Sequence, residues 1–480
     1  MNETTIKKKH KTHKNNIQYR KLRRWVLPAV LGAALSTLAF IPTLAADAQS
    51  TVNAATVTTT EQMATPPTQI STPPNGAPHG KPPAGQPPVG APNGAPNGMA
   101  PQAEVYPNTF IGTSVVTKDK SIAHELITST TADQNAFIGK NKAVINIENS
   151  VFDKTGNTTS DDNSNFRGQN AVVLGIDGSQ INIKGSNITS NSNGSNAVFA
   201  TGEGSVINVE NTNIHTKGDS SRGLDATYKG TVNGKNLTIT TEGAHSATLA
   251  TDRGEGTITA EAAKLTTSGA GSPVIYSTGN ITANNVNGIA NNSEIGVVEG
   301  KNSITLTNSN VTGYKDNGFM LYQSFSGDAE SGIARLKAEN NTLTTHSTGA
   351  LIYVNNTTAE VDLTGNTILM PNTTTLVKAA ADSRWGNAGE NGGHLTLRAS
   401  NQALSGNIVA DAISTIALDM ANGSSLVGAI NTDNTAKEVT VKISKDSSWT
   451  LTGDSYVKSL TNEDTTNSNI HLNGYKLVVN

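Results

Sequence analysis

A repeat of short apolar segments constrains the fold of this chain more than any other feature. Pairs of apolar residues, separated by one polar or small residue, recur along the sequence. From Ile207 the next steps lead to Ile258, two units on, then to Ile281 and Ile304, each 23 residues further. A fixed period of about 23–26 residues, with alternation of period two inside each segment, indicates a solenoid made of strands. The clearest pairs are Ile145/Ile147, Ile181/Ile183, Ile207/Val209, Leu237/Ile239, Ile304/Leu306, Val361/Leu363, Leu395/Leu397, Ile416/Leu418 and Val441/Ile443.

Each unit contains three short strands. In one unit an apolar strand at 196–200 precedes an alternating strand at 205–209 and a third strand at 212–216. This pattern predicts an all-β fold, a right-handed parallel β-helix over residues 105–480 with three short strands per coil. At about 4.8 Å per coil, roughly 13–15 coils would form a rod about 60–70 Å long. Asn at the turns suits left-handed backbone positions and predicts ladders of Asn between coils.

The first 48 residues have the pattern of a signal peptide. Residues 1–24 hold nine Lys or Arg, and an apolar run follows from Trp25 to Leu44. Ala46 and Ala48 form an A-x-A cleavage site before Gln49, so we predict secretion and removal of residues 1–48. Proline within the apolar run and the cleavage site argue against a retained membrane anchor. The mature chain would carry a net charge of −10 and no second run long enough to span a bilayer.

A Pro/Gly-rich linker follows at residues 49–104. Residues 66–101 hold 12 of the 17 prolines of the chain, together with the direct repeat Gly-Ala-Pro-Asn at 90–97. Such a segment cannot bury a core, so we predict a disordered or polyproline-II spacer.

Composition excludes several classes of protein. The chain has no cysteine, which removes disulfides, thiolate metal sites, Cys nucleophiles and a lipoprotein anchor. Its net charge of −3 argues against a generally basic nucleic-acid binder. Ala, Glu, Lys and Leu do not dominate, which argues against a coiled coil.

The signal, the Pro-rich stretch and the Asn/Gly-rich β-helix together resemble the passenger domains of pertactin-like autotransporters. The most specific likeness is at the C-terminus, where Ser447–Leu460 reads SSWTLTGDSYVKSL and Ile470–Val479 reads IHLNGYKLVV. These segments are similar to the C-terminal coils of such passengers, here about residues 405–480. The resemblance implies a surface or secreted protein of a Gram-negative-type bacterium. The family continues into a translocator β-barrel, and no alternating barrel strands follow in this sequence.

Other β-helical proteins cleave polysaccharides, so we searched for their motifs. Asn431-Thr432-Asp433 stands alone and near the end, without the Gly-His-Gly and Arg-Ile-Lys motifs of pectin hydrolases. The Arg222/Asp225 and Asp252/Arg253 pairs are interpreted as surface ion pairs. The histidines show no metal-binding spacing. We therefore predict no catalytic residues, no metal and no cofactor.

The best candidate site is a pair of insertions. One spans about residues 323–332 and the other about 382–392, each between the first and second strands of its unit. Equivalent positions in a solenoid project from the same side, and loops two coils apart would be rooted about 10 Å from each other. Exposed aromatic side chains among mixed charges suit glycan or protein binding. The candidate ligand-binding residues are Phe325, Asp328, Glu330, Arg384 and Trp385.

We therefore expect an exported, adhesin-like protein without enzymatic activity. The rod would display loops that bind a host surface or matrix protein or glycan, after export by the secretion machinery. Two alternatives remain, a β-helical polysaccharide lyase or hydrolase with an unrecognised site, and a purely structural protein of the cell envelope.

Overall fold

The described part of the chain is an all-β parallel solenoid of about fifteen turns, as the sequence predicts. The structure is a computed structural model that describes residues 110–480. The predicted signal peptide, its cleavage site at Ala46, Ala48 and Gln49, and the linker at 49–104 lie outside these residues. Over most of the rod each coil adds one strand to each of three sheets, so hydrogen-bonded neighbours are three strands apart in chain order.

Three long parallel sheets and two short ones make up the rod. The first sheet comprises Ile111–Val116, Gln134–Gly139, Val173–Gly175, Val198–Thr201, Leu224–Thr227, Leu249–Thr251, Ile275–Ser277, Gly296–Glu299, Phe319–Tyr322, Ile352–Asn355, Thr375–Ala379 and Asn407–Ala410. The second comprises Lys120–Ala123, Val144–Glu148, Gln180–Lys184, Val206–Glu210, Thr231–Lys235, Thr257–Glu261, Asn280–Asn284, Ser303–Thr307, Ile333–Glu339, Thr357–Thr364, Gly393–Ser400, Thr415–Ala421, Glu438–Ile443 and Ser459–Asn462. The third comprises Leu126–Ser129, Val151–Thr155, Asn187–Asn191, Asn213–Thr216, Thr238–Thr241, Lys264–Thr267, Asn287–Ala290, Asn310–Gly313, Thr342–Thr345 and Thr367–Leu369. A fourth sheet holds Ala403–Ser405, Ser425–Val427, Ser448–Thr450 and Ile470–His471, and a fifth holds Ser455–Val457 and Leu477–Val479.

The core is a continuous aliphatic stack inside the sheets. Alternate residues of each second-sheet strand point inward, and the parallel register places each one on its counterpart in the next coil. Ile181, Ile207, Val232, Ile258 and Ile281 form one such row, and all of them are buried. The apolar pairs found in the sequence are therefore the inward residues of the second sheet, except Leu237/Ile239, of which Ile239 points inward from the third sheet.

Asparagine occupies the corner between the second and third sheets, as predicted. These residues adopt φ values between +49° and +58°, the left-handed region that Asn tolerates better than most residues. They are Asn149, Asn211, Asn236, Asn285, Asn308 and Asn340, and Asn401 has the equivalent position before the fourth sheet.

A buried polar ladder follows these corner residues inside the rod. The backbone N–H of Asn341 donates to Oδ1 of Asn366 at 3.0 Å, and that of Asn366 donates to Oε1 of Gln402 at 2.8 Å. The N–H of Gln402 donates to Oγ of Ser424 at 3.1 Å. Side chains thus satisfy backbone donors where the chain turns and the sheet ladder is interrupted.

One short helix, Asp161–Arg167, interrupts the array of strands and was not predicted. The Oγ of Ser160 accepts a hydrogen bond from the N–H of Asn163, and Gly168 ends the helix at φ 77°. Ser160 with Asp161 and Asp162 in the first turn is a recognisable start signal, which a search for long helical periodicity overlooks.

The C-terminal coils continue the solenoid with the fourth sheet in the place of the third. Trp449 stacks between Leu426 and Ile470 and is fully buried, and its Nε1 donates to the carbonyl oxygen of Gly428 at 2.9 Å. Within residues 110–480, no helix is both long and apolar enough to cross a membrane.

Candidate functional site

The outer face of the first sheet carries an apolar strip, which is unusual for the solvent side of a rod. Register places Tyr276, Val297, Met320 and Tyr353 at the same outward position in four successive coils. They belong to a cluster separate from the interior core, because alternate residues of a strand face opposite sides of the sheet. Lys378 continues the row in the next coil.

A cleft of about 340 Å³ lies on this strip. Its floor is Tyr276, Val297, Met320, Tyr353 and Lys378. One wall comes from the second predicted insertion and the other from the corners between the third and first sheets. We call this site the first-sheet cleft, and its wall residues include Asp382, Arg384, Trp385, Glu294, Asp316 and Asn317.

Both predicted insertions leave the rod at the corner between the first and second sheets, two coils apart. The first lies between Phe319–Tyr322 and Ile333–Glu339, and the second between Thr375–Ala379 and Gly393–Ser400. The predicted placement of the two loops is confirmed. Two coil steps correspond to about 10 Å along the rod.

The second insertion forms the ordered wall of the cleft. Arg384 donates from Nε and Nη2 to the two carboxylate oxygens of Asp382 at 2.9 and 2.7 Å. These hydrogen bonds from the guanidinium lower the pKa of the Asp382 carboxyl. The Trp385 ring packs against Tyr322, with ring centroids 5.0 Å apart. Trp385 is only 5% exposed, so the expectation of an exposed aromatic side chain is wrong at this position. The ring is buried because it packs between the loop and Tyr322 of the first sheet.

The first insertion contacts earlier coils and does not line the cleft. Asp328 accepts from Nε and Nη2 of Arg253 at 3.1 and 2.7 Å, and its side chain is 2% exposed. The guanidinium of Arg253 lies 3.8 Å from the ring centroid of Phe166, which belongs to the short helix. Glu330 contacts Lys301 at 2.6 Å. Phe325 is exposed, at 63%, and Glu330 is exposed as well.

The structure therefore divides the five predicted binding residues into two groups. Arg384 and Trp385 line the cleft, whereas Phe325, Asp328 and Glu330 do not. Asp328 and Glu330 are engaged in ion pairs that fix the loop on the rod.

The Arg222, Asp225 and Asp252 side chains are buried, so their interpretation as surface ion pairs is wrong. Nη2 of Arg222 lies 2.9 Å from Oδ2 of Asp252, and Nη1 donates to Oδ1 of Asn165 at 2.6 Å. The helix and the first insertion cover this part of the sheet through contacts between residues that are far apart in the sequence. Burial and the neighbouring Asp252 carboxylate raise the pKa of Asp225 well above its usual range.

A buried carboxylate connects the floor of the cleft to the first insertion. Glu299 accepts hydrogen bonds from the hydroxyls of Tyr276 and Tyr322 at 2.8 and 2.9 Å, and from the hydroxyl of Ser324. Burial raises the pKa of Glu299, while these hydrogen bonds act in the opposite direction. The hydrogen bonds to Glu299 thus fix the positions of Tyr276 and Tyr322 in the cleft.

Glu294 is a buried carboxyl group in the wall of the cleft. Its side chain accepts a hydrogen bond from Oγ of Ser293 at 2.7 Å, and the residue is 8% exposed. Burial raises the pKa of Glu294 to about 7, and the nearby Asp316 adds to the increase. Sequence reasoning missed Glu294 and the tyrosines, because they lie in ordinary units. Alignment of the outward positions of the first strands would have revealed the apolar strip.

Within the described residues, no group of three His, Asp or Glu is placed to hold a metal ion. The chain matches no protein-family model and no curated protein.

Proposed function

We propose that this chain is an exported, adhesin-like β-helical protein that resembles the pertactin-like autotransporter passengers. The rod acts as a rigid scaffold at the surface of a Gram-negative-type bacterium. Its first-sheet cleft binds a glycan of the host surface or matrix. The function consists of binding, and no bond is made or broken.

The observation that carries this proposal is the apolar, tyrosine-bearing floor between polar walls. A glycan presents both apolar ring faces and hydroxyls, so it fits a site where Tyr276 and Tyr353 lie beside Glu294, Asp316 and Lys378. The ion pair of Arg384 and Asp382 and the packing of Trp385 preorganise one wall, which lowers the entropic cost of binding.

A polysaccharide lyase or hydrolase is the second candidate, favoured by one observation. The cleft contains Glu294, whose pKa is raised to about 7, and Asp382, whose pKa is lowered by Arg384. Two carboxyl groups with pKa values moved in opposite directions are typical of general acid and base pairs. A purely structural role in the envelope is the third candidate and predicts no ligand.

The test is binding of the purified full-length mature chain to an array of host glycans and matrix proteins. The variant Tyr353→Ala removes part of the floor, and we expect affinity for the bound class to fall at least tenfold, the effect of a modest hot spot. Phe325→Ala is the matched control, because this aromatic residue is exposed and does not line the cleft.

Three results would contradict the proposal. Binding that is lost with Phe325→Ala but not with Tyr353→Ala would move the site to the first insertion. If the chain releases reducing or unsaturated sugar from a polysaccharide, and the variant Glu294→Gln does not, the lyase or hydrolase alternative would be favoured. No saturable binding to any member of the array would favour the structural role.

A further inference from the structure

A second surface of the rod carries a repeating array that is independent of the cleft. The outward residues at the centre of the second-sheet strands are Asn146, Asn182, Asn208 and Asn233, followed by Thr259. They line a groove of about 550 Å³ along the rod. We call this surface the amide row.

Hydrogen bonds fix every member of the amide row. Nδ2 of Asn182 donates to Oδ1 of Asn146 at 2.8 Å, and Nδ2 of Asn208 donates to Oδ1 of Asn182 at 2.8 Å. Nδ2 of Asn233 donates to Oδ1 of Asn208 at 2.9 Å, and Oγ1 of Thr259 donates to Oδ1 of Asn233 at 2.6 Å. The side chains are thus already ordered, so a ligand would not have to immobilise them.

The row retains hydrogen-bonding capacity toward solvent. An Asn amide has two N–H donors and two acceptor lone pairs. Inside the ladder, Asn182 and Asn208 each use one donor and one acceptor. One donor and one acceptor per coil remain, repeated about every 4.8 Å along the rod. This spacing is close to the length of one pyranose unit in an extended polysaccharide, whose hydroxyls also both donate and accept.

The charges beside the row favour an uncharged ligand. The flanking column reads Glu148, Lys184, Glu210, Lys235 and Glu261 in successive coils. Lys184 lies 4.0 Å from Glu210, and Lys235 lies 3.3 Å from Glu261, so the charges largely neutralise each other. An anionic polymer would gain little electrostatic attraction here, because it would also lie beside the three carboxylates of this column.

The row also differs from the C-terminal part of its own sheet. After Thr282 and Thr305, the same central position is held by Lys337, Asp362, Arg398, Asp419 and Lys442. Arg398 pairs there with Asp362 at 3.2 Å. Charged residues at this position keep the outer face of the sheet hydrated and ordered. The need for a hydrated outer face therefore does not explain why Asn holds the position in the amide row.

From these observations we infer that the amide row binds a linear, uncharged polysaccharide lying along the rod. The row presents repeated donors and acceptors in a groove of matching length, with neutralised charges at its edge. This binding does not depend on the ligand of the first-sheet cleft.

The test is co-sedimentation of the full-length mature chain with cellulose and with chitin particles, with heparin beads as the polyanion control. We expect saturable binding to at least one neutral polymer and weaker binding to heparin. The double variant Asn182→Ala/Asn208→Ala should lower affinity for that polymer at least tenfold. Asp362→Asn, a change of one side chain in the ionic column, should leave it unchanged.

Several outcomes would overturn the inference. These are no binding to either neutral polymer, tighter binding to heparin, or equal binding by the double variant. A circular dichroism spectrum and melting temperature like those of the parent chain would show that the double variant is folded. A second double variant, Asn182→Gln/Asn208→Gln, keeps the amides but breaks their spacing and should also lose binding. Loss of binding with Tyr353→Ala instead would assign the polymer to the cleft.

Discussion

Trp385 packs against Tyr322, with ring centroids 5.0 Å apart and planes inclined at 57°, across two coils of the solenoid. Tyr322 ends the strand that leads into the first insertion, and Trp385 belongs to the second. The hydroxyl of Tyr322 in turn donates to Glu299, which also receives a hydrogen bond from Tyr276 in the cleft floor. This single aromatic contact therefore joins both insertions to the floor of the cleft.

Replacement of Trp385 by Ala should loosen the second insertion. The change removes a large buried ring, and we expect a loss of about 3 kcal/mol in the local stability of the wall. Limited proteolysis of the full-length chain should show faster cleavage within residues 380–392. Phe325→Ala should have an effect below about 0.5 kcal/mol, since that ring is exposed. Equal protection of both variants would contradict the role given to the Tyr322 contact.

Replacement of Asp328 by Ala should release the first insertion. Arg253 would then lose the carboxylate that its Nε and Nη2 contact, and its partly buried charge would be less well compensated. We expect a loss of about 2 kcal/mol, because Arg253 retains some access to water. Hydrogen exchange of residues 323–332 would measure it. Glu330→Ala is the matched control, since its exposed ion pair with Lys301 should contribute less than about 1 kcal/mol.

Glu294 should make stability depend on pH. Its pKa rises from 4.5 to about 7 on folding, so the folded state binds more protons than the unfolded state between these values. The stabilisation is complete below pH 4.5 and is lost as the pH rises through about 7. The loss of folding stability on ionisation of Glu294 should be at most about 3 kcal/mol. Thermal melts from pH 4 to 8 would measure it.

The variant Glu294→Gln provides the comparison for that measurement. It removes the titrating group, so the difference between its melting curve and that of the parent chain should grow across this pH range. Glu390→Gln, in an exposed position of the second insertion, should follow the parent curve throughout. Parallel curves for the parent chain and Glu294→Gln would contradict the assignment.

The internal ladder at the second corner should be sensitive to loss of a single amide. Asn366→Ala would leave the backbone N–H of Asn341 without its acceptor and would remove three further bonds, to the Asn341 side chain, Ala338 and Gln402. A buried donor without a partner costs about 1–3 kcal/mol, so we expect a lower melting temperature. Asn182→Ala, which alters an exposed ladder, should change stability by less than about 0.5 kcal/mol. A similar effect of both changes would argue against burial as the cause.

Much of the fold could be predicted, because it follows from local repetition. The 23-residue steps between Ile258, Ile281 and Ile304 give the coil length, and the alternation within each segment gives the inward face. Left-handed Asn at positions such as Asn211 and Asn308 was likewise readable from the sequence. The two insertions were also located correctly, because they break the period.

The site could be predicted only in part. The sequence predicts Arg384 and Trp385 among five ligand-binding residues, and both line the cleft, but Trp385 is buried against Tyr322. Asp328 is predicted to bind ligand, but it is paired with Arg253, 75 residues earlier in the chain. The residues next to Trp385 and Asp328 in the sequence do not indicate that Tyr322 and Arg253 are their partners.

The sequence by itself determined the stacking of strands and the course of the core, because each coil repeats the same contacts with its neighbours. Only the tertiary structure decided what covers the outer face of the first sheet. The insertions have no repeat to follow, so their positions depend on contacts between distant coils, such as that of Arg253 with Phe166 and Asp328. Packing between coils likewise buries Asp225 and places Glu294 in the wall of a cleft. Burial and charge at these positions are properties of the packed rod, and local sequence does not encode them.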